Sequence, residues 1–246
     1  MAFIALDDRT RVLVLTGAGI SAESGIPTFR GADGLWENHP IEKVASPRGF
    51  VEDPALVWRF YSERREAARA VSPNPGHVAL AALEERLGDR FLLATQNVDG
   101  LHSRAGSRRV VEMHGTLWKT RCSRCDRPPF DDDTVYEPGS LPGCARCAAR
   151  GETALLRPHI VWFGERLDPR DLARIEAFVH ASAGTRFVFL AVGTSGRVSP
   201  ASELVLRARD MGAETWLVNL DPPDNESAFE HVVRGPSGTV LPALFA

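Results

Sequence analysis

Lysine is almost absent from this chain: of 29 basic residues only Lys43 and Lys119 are not arginine. We read that bias as a coding preference and attach no function to it. Positive charge is not in excess either, since 32 acidic residues leave a formal net charge of -3. A global field that would gather nucleic acid is therefore missing, and no local basic stretch replaces it. No apolar run approaches the roughly 18 residues of a membrane span. The segment Met1–Asp8 has too short an apolar run and no basic flank for an export signal. These absences lead us to expect a cytoplasmic protein with neither membrane nor specific nucleic acid among its partners. Cysteine is scarce, with four residues, and in the expected compartment any account of them must work under reducing conditions. Repeats and low-complexity linkers are missing too. What remains is an ordinary globular composition, 43% hydrophobic and 25% charged, against disorder, collagen and coiled coil alike. The 246 residues suit one full domain with a smaller appendage.

Four apolar runs rich in β-branched residues read as buried parallel strands: Val12–Leu15, Phe91–Thr95, Phe187–Val192 and Thr215–Asn219. Helical patterns lie between them at Pro54–Ala70, His77–Leu87, Pro169–Ser182 and Pro200–Met211. The third opens on Asp168 as N-cap with Pro169 in its first turn, and Asp171 sits where the helix dipole favours it. Strand alternating with helix predicts an α/β fold with a doubly wound, Rossmann-like parallel sheet, whose ligands bind beyond the carboxyl ends of the strands. Two stretches interrupt the alternation. We expect the Rossmann-like domain to comprise 1–30, 73–116 and 166–246, with a helical insertion at 31–72 and a zinc-binding insertion at 117–165.

The first strand runs into Gly17-Ala18-Gly19-Ile20-Ser21-Ala22, a G-x-G-x-x-A turn of the kind that brings backbone amides to a pyrophosphate. An ordinary dehydrogenase would show a second strand and an acid about 20 residues on to hold the ribose. That pattern is missing. Instead a glycine-rich loop follows, with Phe29 and Arg30 placed to fold over a bound dinucleotide, the cation meeting phosphate and the ring keeping water from a reactive carbon.

The cysteines fall at Cys122, Cys125, Cys144 and Cys147, two C-x2-C pairs separated by 18 residues. Each pair can grip one ion, and four thiolates fill the tetrahedron of Zn²⁺, leaving no position for chemistry. We therefore expect one structural zinc, ahead of disulfides or an iron-sulfur cluster. After strand Phe91–Thr95 come Gln96, Asn97, Val98, Asp99 and His102, and a little later His114. Amides and carboxylates at a strand end are placed to bond a ribose or a carboxamide. His114 lies just before the cysteine module, at an expected domain junction, and an imidazole titrates near neutrality as a general base must.

Together these motifs resemble the sirtuins, the Sir2-type NAD-dependent protein-lysine deacylases. The resemblance runs from about residue 10 to 242 through Gly17–Ser21, Gly25–Arg30, Thr95–Asp99, His114-Gly115, the four cysteines, Pro158–Glu165, Gly193–Ser195 and Asn219–Asp221. It implies a Rossmann-like domain and a smaller zinc and helical domain with substrate passing between. It also implies that Gly17, Ala18 and Gly19 line the diphosphate site and that Phe29 and Arg30 belong to the cofactor loop. Gln96 would approach the ribose, with Asn97, Val98 and Asp99 at the nicotinamide pocket. Gly193, Thr194, Ser195, Asn219, Leu220 and Asp221 would hold the adenosine half. Val161, Phe163, Gly164, Glu165 and Val198 would flank an extended peptide added as a strand. His114 and Asn97 would be catalytic: NAD is split at its nicotinamide bond, the acyl oxygen captures C1′, and His114 draws a proton through the ribose hydroxyls. The products would be nicotinamide, free lysine and O-acyl-ADP-ribose.

Within Pro54–Ala70, Tyr61 and Arg64 are three apart on one helix face. They resemble the Tyr-x-x-Arg pair by which class III sirtuins hold the carboxylate of succinyl- or malonyl-lysine, and Ala45 matches a small residue that leaves room at the pocket end. Both deacetylation and desuccinylation or demalonylation are thus expected, by a monomer acting on acyl-lysine proteins. One departure from the family pattern is Ser199, where an aromatic or aliphatic residue is expected. The competing readings are a protein mono-ADP-ribosyltransferase using the same cofactor site, and a zinc-ribbon interaction module with a vestigial nucleotide site.

Overall fold

A computed structural model of the chain describes residues 3–28, 35–36, 39–137 and 139–245, with backbone alone at 35–36. Phe29 and Arg30 lie outside the described residues. The strands, in chain order, are β1 Thr10–Thr16, β2 Leu35–Trp36, β3 His39–Pro40, β4 Phe91–Thr95, β5 Val110–Glu112, β6 Gly115–Cys122, β7 Phe130–Asp131, β8 Leu156–Ile160, β9 Arg186–Val192, β10 Glu214–Asn219 and β11 His231–Arg234. The α-helices are α1 Ile41–Val44, α2 Pro47–Glu52, α3 Pro54–Ala70, α4 Pro75–Leu87, α5 Leu101–Arg104, α6 Ala145–Ala148, α7 Pro169–Ala181, α8 Leu204–Asp210 and α9 Ser237–Leu244.

Six strands form one parallel sheet in the order β11-β10-β9-β1-β4-β5. Counted along the chain this is the doubly wound order, with the direction of winding reversing between β1 and β9. Both faces are covered. Leu13 and Leu15 of β1 join Phe187, Phe189 and Ala191 of β9 in a core beneath α7 and α8, whereas Val12 and Val14 join Val188, Leu190 and Val192 in a second core beneath α4 and α9. Alternate side chains going to opposite buried faces explain why these strands read as unbroken apolar runs.

The helix ends follow local chemistry. Asp53 accepts from Leu56 N at the start of α3 and Asp168 from Arg170 N at the start of α7, each with proline in the first turn. Asn74 and His77 make a capping box that starts α4 at Pro75, two residues before the apolar pattern begins. One expectation is corrected: the segment read as one helix from Pro200 divides into a 3-10 turn, Ala201–Glu203, and α8. The glycine turn after β1 enters a 3-10 helix, Ala18–Ser24. Neither start has a capping side chain, so the first turn tightens to satisfy its own amides.

The stretches that interrupt the alternation meet in space. Trp58, Phe60 and Tyr61 of α3 share a third core with Cys122, Cys144, Cys147, Leu156, Ile160 and Trp162. β6 pairs antiparallel with β7 and β8 in a small sheet. Arg65, fully buried, fastens α3 to it by donating to the carbonyls of Leu117 and Thr134 and to Thr120 Oγ1, at 2.7, 2.6 and 3.0 Å.

At the point where the winding reverses, Gly19 N donates to Gly193 O at 2.8 Å and Gly17 N to Val192 O at 2.9 Å. Gly193 has φ +63, and a Cβ there would stand 2.3 Å from Ile20 N. Substituting Gly193→Ala should therefore cost more than about 2 kcal/mol, from left-handed strain and overlap together. Denaturant unfolding measures this, and a loss below about 0.5 kcal/mol, within the range of inert surface changes, would contradict the close approach.

Candidate active site and metal centre

The carboxyl ends of β1, β4, β9 and β10 converge on one crevice. Gln96, directly after β4, donates from its backbone to Thr16 O at 2.9 Å and from Nε2 to Thr194 Oγ1 at 3.1 Å. Asn219, at the end of β10, donates to Thr194 O at 2.8 Å. One hydrogen-bonded rim thus joins four strand ends. Ala18 is half-buried in it, Gly193 is half-buried beside it, and Ser195, Leu220 and Asp221 are exposed around it. The amides of Gly17 and Gly19 are spent on β9, so packing already accounts for these two glycines, leaving Ala18 as the turn's face toward the crevice.

Deeper in, Asn97 and Asp99 are buried with Ser21 between them. Asn97 Nδ2 donates to Gly17 O at 3.1 Å and to Ser21 Oγ at 3.2 Å, and Ser21 Oγ donates to Asp99 Oδ2 at 2.8 Å. Asp99 Oδ1 accepts from Leu101 N at 2.9 Å, and Trp118 Nε1 donates to Asp99 O at 2.9 Å. Burial raises the Asp99 pKa against these donors. Behind Ser21 stand His77, 3.4 Å away through Nε2, and His102, whose ring lies 4.8 Å from that of His77 and whose Nε2 is 2.9 Å from Thr16 Oγ1. Burial lowers both imidazoles, His77 to about 4. Both stay neutral at physiological pH. Ser21 and His77 were not singled out from sequence, although Ser21 stands inside the glycine motif.

His114 follows β5 and precedes β6. Its Nδ1 lies 3.0 Å from Gln96 O. A carbonyl only accepts, so Nδ1 carries the proton and Nε2 is left with a lone pair. Burial lowers the His114 pKa below 6.5 and the bond to Gln96 opposes it. This arrangement makes a base at neutral pH. The His114 carbonyl accepts from Val161 N at 2.9 Å, bringing the Val161–Glu165 segment alongside the crevice.

Phe163 N then donates to Ala45 O at 3.0 Å, joining that segment to α1. Ala45 and Tyr61 are buried together with Trp162, and Arg64 is 8% exposed. Tyr61 Oη accepts from Trp162 Nε1 at 3.0 Å, while Arg64 Nη1 donates to Phe60 O at 2.9 Å with its guanidinium 3.3 Å from the Phe60 ring centroid. Glu165 spends its carboxylate on Arg157, Arg121 and Trp162 N, anchoring the segment that carries it. Phe163 and Gly164 are exposed and Val98 is half-buried. Val198 is half-buried at a distance along the chain, its carbonyl accepting from Ser202 N at 2.9 Å.

Cys122, Cys125, Cys144 and Cys147 bring their sulfurs within 4.8 Å of one another. The nearest pairs are Cys122 with Cys147 at 3.7 Å and Cys125 with Cys144 at 3.8 Å. Zn–S bonds of about 2.3 Å in a tetrahedron require sulfurs roughly 3.8 Å apart, and a disulfide needs about 2.05 Å. The residues fit one structural zinc.

The family model for the Sir2 family matches residues 17–200. This chain belongs to the Sir2 family. An NAD-dependent protein deacylase of Salmonella typhimurium strain LT2 is 48% identical over 238 residues, 96% of this chain and 82% of that protein. Among solved structures, a Sir2 homologue in complex with NAD is 38% identical with a TM-score of 0.85, covering 99% of this chain and 94% of its own. A mutant Sir2 homologue with bound 2′-O-acetyl ADP ribose is 41% identical with a TM-score of 0.83, covering 95% and 89%. Among the described residues no helix is long and apolar enough to cross a membrane.

Binding energies of about 10–16 kcal/mol are typical of small thiolate zinc sites, so the third core should depend on its metal. Mass spectrometry of the native protein is expected to find one zinc per chain. Cys147→Ser should bind none and lose amide protection across β6, β8 and α3 while β1, β4 and β9 stay protected. Unchanged protection in the small sheet would refute this dependence.

Proposed function

We propose that the chain strips acetyl, succinyl and malonyl groups from lysines of proteins, consuming NAD and releasing nicotinamide, free lysine and O-acyl-ADP-ribose. As a Sir2-family chain it is an NAD-dependent protein deacylase. The breadth of acyl groups and the roles of individual residues are our reading.

The observation that carries it is the fixed tautomer of His114. With Nδ1–H committed to Gln96 O, Nε2 keeps its lone pair as a base whose strength does not depend on tautomer exchange. We assign it removal of the proton, relayed through the ribose hydroxyls, that frees the 2′-oxygen to attack the activated acyl carbon. Asn97 and Asp99 would receive the nicotinamide amide: Asp99 is pinned by Ser21 and Leu101, so its lone pairs point in fixed directions. Thr194 and Asn219, with Gln96, would take the ribose and adenosine hydroxyls at the rim. Gly17 to Gly19 would line the diphosphate, and Phe29 with Arg30 would cover it. The acyl-lysine would pass Val161 and Phe163 as an added strand, its main chain bonded in a way that tolerates many sequences.

At the far end, Tyr61 and Arg64 offer a phenol and a guanidinium to the carboxylate of a succinyl or malonyl group, and Ala45 leaves room for the longer chain. An acetyl group reaches neither. A protein ADP-ribosyltransferase would need no such acyl pocket, and that is what favours deacylation between the two.

Replacing His114 by Ala or Tyr should leave NAD binding in place and reduce deacylation, measured by single-turnover assay, by roughly the 10²–10⁴ that general-base catalysis is typically worth; normal turnover by either variant would refute the assignment. In the unmodified chain, activity requires neutral His114. Because burial lowers its pKa, the acid limb of kcat/KM should fall below pH 6.5, with activity level above it until another group titrates. An acid limb above that value would contradict the assignment. Arg64→Met should raise KM for succinyl-peptide by about tenfold more than for acetyl-peptide, the loss of one charge-assisted bond. Equal losses on both peptides would remove the carboxylate role.

A further inference from the structure

We infer that Trp118 is a positioning residue for nicotinamide: its indole N–H, bonded to Asp99 O, holds the Asp99–Gly100 turn in the orientation that presents the Asp99 carboxylate. The inference rests on the Asn97 and Asp99 reading given under Proposed function.

The soft point of this turn is its glycine. Asp99 Oδ2 accepts from Ser21 Oγ at 2.8 Å and Oδ1 from Leu101 N at 2.9 Å. Leu101 N lies beyond the peptide that joins Asp99 to Gly100, so the second bond holds only while that peptide keeps its orientation. Gly100 has φ +75 and ψ 10. Rotating the peptide plane by half a turn would carry that φ to the negative side, which glycine adopts as readily. Sterically the local chain leaves both orientations open, and the Asp99 carbonyl is the handle by which one is chosen.

Trp118 takes that handle. An indole nitrogen donates and cannot accept, and Trp118 Nε1 lies 2.9 Å from Asp99 O, so its single hydrogen is used there. The ring lies directly against Gly100, where a Cβ would stand 2.2 Å from Nε1 and 2.6 Å from Cδ1 of Trp118. Gly100 thus serves twice, by its left-handed backbone and by the room it leaves for the indole. The strand that carries the indole is tied to the same segment, since Leu117 N donates to Val98 O at 2.9 Å, and Trp118 O accepts from Asp132 N at 2.9 Å. β6 thereby reaches from the small sheet to the turn after β4 with two successive bonds, one at Val98 and one at Asp99. The half-buried ring also borders a cavity of about 510 Å³ shared with Ser103, Arg104 and Lys119. Water there can solvate the carbonyl once the donor is gone, so loss of the bond should appear as freedom of the turn and not as unfolding.

The test is a binding cycle with Trp118→Phe, Asp99→Ala and the pair, in which nicotinamide is titrated into protein saturated with ADP-ribose and followed by NMR. Phenylalanine keeps an aromatic ring beside Gly100 and removes the donor. Trp118→Phe is expected to weaken nicotinamide about three- to tenfold, the worth of one hydrogen bond, with ADP-ribose affinity and KM for acetyl-peptide within about twofold. In the Asp99→Ala background the same change should add nothing, because the carboxylate through which it acts has gone. A loss shared equally by nicotinamide and ADP-ribose, or one that adds fully to Asp99→Ala, would show a packing role and overturn the inference. The unmodified chain gives a reading free of any variant. Coupling is reciprocal, so nicotinamide added to the ADP-ribose complex should slow exchange of the Trp118 indole hydrogen by about threefold or more; unchanged exchange would overturn the inference as well. Asp99→Ala separates the failures. If it weakens nicotinamide while Trp118→Phe does not, only the present inference falls. If it leaves nicotinamide binding unchanged, the assignment of Asp99 to the nicotinamide pocket and this inference fall together.

Discussion

Two strand ends that nearly touch set the terms for everything beyond them. The Gly19 amide reaches Gly193 O at 2.8 Å, and a Cβ on Gly19 would come within 2.6 Å of Gly193 Cα. No side chain fits there. The approach closes the floor of the crevice where the sheet's winding reverses, and it forces the turns after β1 and β9 to splay their following residues outward around it. Ala18 and Thr194 emerge on either side, and Gln96 and Asn219 reach Thr194 from the neighbouring strands. In an open parallel sheet such a crevice is the only place where several strand ends face a ligand without a crossover helix in the way. Geometry made of backbone is difficult to deform, which suits a site that must hold a large dinucleotide in one orientation.

Below that floor the molecule buries polar groups that would each be costly alone. Asn97, Ser21, Asp99, His77 and His102 are all under 9% exposed. Most are satisfied through one another, and the cost of desolvation appears as displaced pKa values: Asp99 pushed up, the two histidines pushed down. His102 Nδ1 has no hydrogen-bond partner among the described residues. Networks of this kind rigidify a site when their members satisfy each other and are expensive when they do not. Here they fix Asp99 from behind, so its carboxylate cannot rotate to suit whatever enters.

The sheet was legible because its central strands are buried on both faces and therefore read as uninterrupted apolar runs: β4 matches its expected bounds, β9 and β10 extend theirs by one residue, and β1 by two at its start and one at its end. The two strands of the large sheet not foreseen lack that burial. β11 is exposed at three of four positions and β5 is three residues long with two of them half-buried, so neither leaves a pattern that a periodicity could catch. The cysteine spacing announced its metal for a different reason, since four sulfurs on two short turns have few other uses. Partnerships across the chain left no trace. Trp162 and Tyr61 are 101 residues apart, Ser21 and His77 are 56 apart, and each side chain alone reads as ordinary core. The common core of α3 and the cysteine module was hidden for the same reason, since Trp58 Nε1 finds Leu156 O across 98 residues.

His114 shows how these long-range contacts converge on one residue. Its ring is bonded to Gln96 O at the end of β4, in the large sheet, while its carbonyl is bonded to Val161 N just past β8, in the small one. Gly115 makes this division possible. It has φ +78, a Cβ would stand 2.0 Å from His159 O, and the β6–β8 register shifts immediately after it. The chain can therefore turn sharply, sending the imidazole toward one sheet and the peptide group toward the other. A side chain in that position responds to both parents: the tautomer is set by the large domain, and the distance to the segment that would carry the peptide is set by the small one. If the two moved relative to each other, the proposed base could not keep both bonds. A base built across the junction is thus fully positioned only when nucleotide and peptide surfaces stand in their working arrangement, and the chemistry is tied to that arrangement by two hydrogen bonds on a single residue.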